Sequence, residues 1–144
     1  MRPTPAILLA ALLAALLASS ACESAPNNPY GKAAEQGNRN AQFLLGGMYK
    51  SGKGVGRDDY EAAKWFTKAA DQGNVIAQYE LALMYSNGRG VSQNLVLAYM
   101  WFTVAARQGE ADAVRDRKII AAKMTAEQIA EATKLSTEYV PGGR

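Results

Sequence analysis

The sequence predicts an all-α fold, a right-handed α/α solenoid of helix-turn-helix repeats ending in a C-terminal capping helix. Three observations predict it. Residues 33–68 and 69–104 are one unit written twice without a gap, at a period of 36 residues, and a third copy opens at Ala105 with Ala-Ala-Arg-Gln-Gly; periods in this range belong to stacked helical hairpins. Each full copy divides at a glycine-rich turn into two segments whose apolar residues recur at helical spacing. The third copy breaks off before Thr125-Ala126-Glu127-Gln128, a capping box that starts one last helix, and a solenoid needs such a terminal element to close its open end.

Taken in order, residues 1–21 hold one positive charge, Arg2, an apolar run over 6–18, and the small residues Ser19, Ser20 and Ala21. This is the layout of a secretory signal peptide. The run is shorter than the roughly 20 residues a membrane-spanning helix needs, and an uncleaved short anchor is the alternative. Cys22, the single cysteine, follows directly. Ser19-Ser20-Ala21-Cys22 resembles the lipobox of bacterial lipoproteins, which implies lipid attachment at Cys22 and a tether over residues 22–32. Ser19 stands where lipoboxes favour an aliphatic residue, and Ser19 with Ala21 also makes a small-x-small site for ordinary cleavage. Either route exports the chain, to the periplasmic face of a bacterial membrane if lipidated and to the periplasm or medium if not.

The repeat domain is expected over residues 33–140. In its first helices Ala41, Leu45 and Met48 recur as Ala77, Leu81 and Met84, and Tyr49 and Tyr85 close that face. The turns at 51–55 and 87–91 supply glycines where a helix stops in a left-handed conformation. Asp58 and Asn94 then stand as N-caps, with Glu61 completing a box-like pair with Asp58. Second helices present Ala62, Trp65, Phe66 and Ala69, repeated as Ala98, Trp101, Phe102 and Ala105. Gly46/Ala82 and Ala62/Ala98 are small enough for close helix approach. Gln36-Gly37-Asn38, Gln72-Gly73-Asn74 and Gln108-Gly109-Glu110 each end one helix and begin the next. The partial third copy spans 105–123, with a helix over 114–123, and the capping helix 125–139 ends at Pro141-Gly142-Gly143.

One difference between the copies predicts where the capping helix lies. Glu61, Lys64 and Lys68 of the first copy become Leu97, Met100 and Val104 in the second. An apolar stripe at this spacing demands cover, and Ile129, Ala132, Leu135 and Tyr139 offer the complement.

The run A-Q-[FY]-x-L-[GA]-x-M-Y-x-x-G-[KR]-G-V, followed by A-x-x-W-F-T and A-A-x-Q-G, closely resembles the Sel-one-like repeat, a relative of the tetratricopeptide repeat. The resemblance covers residue 33 to about 113. It implies a scaffold or adaptor, since family members act in secretion, signalling, envelope biogenesis and host contact and few are enzymes. Some exported members lock each hairpin with a disulfide, and this chain has none of those cysteines.

The composition removes much chemistry. There is no histidine, hence no imidazole acid/base, serine triad or imidazole metal site, and the single cysteine sits at the tether. No catalytic residue, metal ligand or cofactor is predicted. Of the 16 basic residues, the 15 left without Arg2 stand against 13 acidic ones, a balance of +2, too mild for a nucleic-acid surface. Gly47 to Lys53 mimics the spacing of a phosphate loop but has Gly54 where the metal-binding hydroxyl belongs, so no nucleotide is expected either.

In tetratricopeptide-like stacks the first helices line the concave face. That resemblance puts Phe43, Lys50, Ile76, Tyr79, Leu83 and Arg115 on a groove, with Asn40, Gly47, Asn87, Asp112 and Ile119 beside them. Ile76, Tyr79 and Leu83 form a second apolar stripe, which either packs on neighbouring helices or stays open. The function expected is a non-enzymatic envelope adaptor, tethered by lipid, that binds a protein or peptide. The alternative is a factor handling cell wall or polysaccharide, with or without hydrolytic activity, which would need a carboxylate-lined pocket.

Overall fold

A computed structural model describes residues 28–143. The signal peptide expected at 1–21, Cys22 and the first part of the tether lie outside the described residues. These form seven α-helices and no strand: α1 Gly31–Glu35, α2 Arg39–Ser51, α3 Asp59–Asp71, α4 Val75–Asn87, α5 Leu95–Arg107, α6 Ala111–Ala121 and α7 Ala126–Glu138. The all-α solenoid with a capping helix is what the repeat pattern predicts. Helix boundaries differ from expectation in two places. Gly31 and Lys32 already belong to α1 rather than to a tether, and the helix expected over 114–123 runs instead from Ala111 to Ala121, because Glu110 caps its first turn; the repeat boundaries at 68/69 and 104/105 fall inside α3 and α5, as the placing of Ala69 and Ala105 on the second helices requires.

Local chemistry sets each helix end. The side chains of Asn38, Asp58, Asn74, Asn94, Glu110 and Thr125 each accept a hydrogen bond from a first-turn backbone N–H, satisfying donors that a helix start leaves open. At Thr125 the box is complete, Gln128 Oε1 accepting in return from the Thr125 N–H. At Asp58 it is half made: Asp58 caps Tyr60 and Glu61, but the Glu61 carboxylate is taken by Lys64 Nζ at 3.0 Å. Gly52 and Gly88 end α2 and α4 at φ 74° and 65°. Gly90 does more than turn the chain. A Cβ on it would lie 2.0 Å from the Asp59 carbonyl oxygen, so the second turn closes directly on the start of α3.

Successive helices pack as hairpins, α2 on α3 and α4 on α5, while α3 meets α4 and α5 meets α6 between hairpins. Phe66 and Phe102 are fully buried at the hairpin centres. Gly46 shows how tight the first hairpin is: a Cβ there would stand 2.7 Å from Cδ1 of Phe66. The main core runs from Ala62 to Ala132, and a smaller cluster of Ala34, Ala41, Leu45 and Trp65 closes the N-terminal end.

The last helix breaks the hairpin pattern. α7 packs on α5 instead of on its neighbour α6, and Leu97, Met100 and Val104 join a single cluster with Ala132, Leu135 and Tyr139. The Tyr139 ring meets Trp101 edge-on at 5.1 Å and its hydroxyl donates to the Ala70 carbonyl at 2.6 Å. Arg107 Nη1 donates to the Ser136 carbonyl, and the Gly142 N–H to that of Asp71.

Candidate functional site: the first-helix face

Helices α2, α4 and α6 form one row, joined by side chains. Lys50 of α2 pairs with Glu80 of α4, and the Tyr79 hydroxyl of α4 donates to Asp116 of α6 at 2.8 Å. Arg115 Nε also donates to Asp116, and its Nη1 to Asp112. Burial and the bond to Asp116 push the Tyr79 phenol up to about 12. The Arg115 bond, joined by that of Tyr79, holds the Asp116 carboxyl below its ordinary value. These charge-assisted bonds fix neighbouring repeats against each other and leave Arg115 exposed.

The expected groove residues separate into two groups. Ile76, at 52 % exposure, stands open, as does Ile119 at 54 %. Phe43, Tyr79 and Leu83 are half-buried and pack on the core. The reason is a repeated aromatic contact: Phe43 lies 6.0 Å from Phe66, and Tyr79 lies 5.8 Å from Phe102 one repeat on. Leu83 lines a cavity of about 90 Å³ with Lys50, Asp59, Glu80, Met84, Asn87 and Arg89. At its edge Asp59 accepts from Arg89 at 3.1 and 3.2 Å; against the upward push of burial, Arg89 and Arg57 hold its carboxyl below the ordinary value. The charges here answer one another, which suits a stable polar rim. The phosphate-loop lookalike is the C-terminal turn of α2, an end that presents carbonyls where a phosphate needs N–H groups.

Sequence reasoning missed one network. Gln42 Nε2 donates to the Ala34 carbonyl and Gln78 Nε2 to that of Ala70. Gln72 Nε2 then donates to Gln42 Oε1 at 2.7 Å, and Gln108 Nε2 to Gln78 Oε1 at 2.6 Å. The signal was present in the recurring Ala-Gln and Gln-Gly pairs, but Gln72 and Gln108 read as helix ends and Gln42 and Gln78 only as repeat positions, because the paired amides are about 30 residues apart.

The model of the Sel1 repeat matches residues 30–38, 39–74 and 75–110, more than half of the chain. The chain belongs to the Sel1 repeat family. Its units begin at Arg39 and Val75, the first residues of α2 and α4, so each is one intact hairpin. Among solved structures, a protective antigen present in uropathogenic Escherichia coli strains, displaying an SLR fold, is 40% identical with a TM-score of 0.73, over 76% of this chain and 24% of that one. A Sel1 repeat protein from Oxalobacter formigenes is 41% identical with a TM-score of 0.59, over 60% of this chain and 65% of that one. The chain thus spans about a quarter of the first relative's length and less than two thirds of the second's. No curated protein matches the sequence. Sel1 repeats generally mediate protein–protein interaction, and the fold is typically a non-catalytic scaffold.

Proposed function

We propose that this Sel1 repeat protein is a non-enzymatic adaptor of the bacterial cell envelope, held at the membrane through lipid on Cys22 and binding a protein or peptide partner on its first-helix face. The observation that carries the reading is the pairing of exposed Ile76 and Ile119 with an ordered polar rim of Tyr79, Asp116, Arg115, Lys50 and Glu80. Apolar anchors within fixed polar surroundings are how binding energy concentrates in interfaces. Phe43, Tyr79 and Leu83 give that surface its shape from beneath, which makes Ile76 and Arg115 the residues a partner touches most directly.

A photo-crosslinking residue at position 76 in intact cells tests this. A discrete protein adduct that disappears with Arg115→Glu, while helical content and melting temperature hold, is the expected result. Glycan adducts, or none above those from the opposite helices, overturn it. In the same cells Cys22→Ala releases a soluble protein, and a wild type that takes up no labelled fatty acid and already washes off membranes overturns the tether.

A further inference from the structure

Helix α2 holds a glycine that the fold itself does not require. Gly46 is kept small by the Phe66 ring, and Gly52 by a left-handed backbone at the helix end. Gly47 has neither reason. It lies well inside the 13 residues of α2, and a Cβ built on it meets nothing within 4 Å. Glycine inside a helix is destabilising relative to alanine, so this residue weakens α2 with no gain in packing among the described residues. The same position is Leu83 in the second repeat and Ile119 in the third. Along the first-helix face it therefore reads as one gap followed by two aliphatic side chains.

We propose, building on the first-helix reading of the function, that Gly47 is a specificity-determining residue: the gap over it receives one large aliphatic side chain, of leucine or isoleucine size, from the protein partner. Size follows from the repeat, since the missing side chain is the one that Leu83 and Ile119 supply at the equivalent positions. Polarity follows from the neighbours on both helices. One turn away on α2 lie Phe43, Leu44, Lys50 and Ser51; Leu44 is 41 % exposed, and Phe43 rests on Phe66. Lys50, the single charge among these four, is paired with Glu80 of α4. The cavity that Lys50 lines adds Asp59 and Arg89, which pair with each other, and the uncharged Leu83, Met84 and Asn87. Each lining charge has its partner, so an ionic group gains nothing here, whereas an aliphatic one gains by covering Phe43 and Leu44. Glycine lets that group approach the helix backbone closely, and an anchor seated in a recess concentrates binding energy.

A photo-crosslinking residue at position 76 in intact cells reports on the first-helix face without altering Gly47. Gly47→Leu, which copies the second repeat, is expected to cut the yield of that adduct about tenfold, the cost of overfilling a packed apolar site, while Gly47→Ala raises the melting temperature. A second crosslinker in place of Leu44, one turn from Gly47, locates the partner's anchor by mass spectrometry of the adduct. Trimming that anchor to alanine should lower the position-76 adduct with the wild type and restore it with Gly47→Leu, a reversal that no folding defect produces. An unchanged yield in Gly47→Leu, or a loss without the reversal, overturns the proposal and leaves the first-helix reading standing. Absence of any adduct at position 76 in the wild type overturns both. A charged anchor, a lower melting temperature in Gly47→Ala, or an adduct between two copies of this chain also overturns the proposal.

Discussion

Helices α3 and α5 occupy equivalent places in successive hairpins, yet they solve the problem of an outer face in opposite ways. Both bury a Trp-Phe pair against the first helices. On α3 the outward residues are Glu61, Lys64 and Lys68, with a Glu61–Lys64 ion pair and the Lys68 ammonium over the Trp65 ring. On α5 they are Leu97, Met100 and Val104 under a dedicated helix. The inward face is therefore fixed by the repeat, while the outward face is free to become either surface or interface. That freedom separates structural from functional variation in this fold.

The largest effect is expected from removing the cover. Truncation after Lys123 exposes the α5 stripe, and each of its large side chains loses roughly 1.5–3 kcal/mol of burial. Aggregation or loss of cooperative unfolding should follow in size-exclusion and thermal-melt experiments. The sharper form adds Leu97→Glu, Met100→Lys and Val104→Lys to the truncation, giving α5 the α3 face; this variant should return to solution as a folded monomer. If it aggregates as badly, the comparison between the two faces fails.

A smaller effect separates two turns. Gly90→Ala forces a methyl group into the Asp59 carbonyl at a positive φ, and should cost about 3 kcal/mol or more in denaturant melts. Gly109 has the same backbone sign but nothing within 4 Å of its would-be Cβ. Gly109→Ala should cost only the left-handed strain, about 1 kcal/mol. Equal costs would mean that the contact between the second turn and α3 contributes nothing.

The smallest effect lies on the first-helix face and depends on pH. Because the folded phenol of Tyr79 ionises near 12 against an ordinary 10, its contribution is complete below pH 10 and is lost as the pH rises towards 12. Asp116, held low by Arg115 and Tyr79, works in the other direction: its contribution is present above the ordinary carboxylate range and fades on acidification below it. An ultraviolet titration should show, beside the Tyr139 phenol that burial also raises, a phenol ionising near 12 that vanishes in Tyr79→Phe and moves part of the way back towards 10 in Asp116→Asn.

The hairpins, their caps and the seat of α7 were legible because each rests on short-range spacing or on a break in it. Thr125 with Gln128 announced α7, and the change from Lys64 to Met100 announced what it covers. What the sequence left open was whether Tyr79 and Leu83 are surface or core. Helical spacing places both on one stripe with Ile76, and only the tertiary packing of Tyr79 on Phe102 and of Leu83 on the core divides that stripe into packed and exposed parts. The glutamine network was hidden for the same reason, since neither its donors nor its acceptors are sequence neighbours.

That network also counts. Each rung joins a glutamine inside one hairpin to the glutamine that ends the same hairpin, Gln42 to Gln72 and Gln78 to Gln108, so a further unit with both glutamines could be spliced in without altering its neighbours. The next position in the series is Val114, which has no amide to offer. Tyr139 arrives from α7 instead and places its hydroxyl on the preceding rung, against Gln78 and the Ala70 carbonyl. A valine and a tyrosine thus act as punctuation, ending this chain of hydrogen bonds at the second rung.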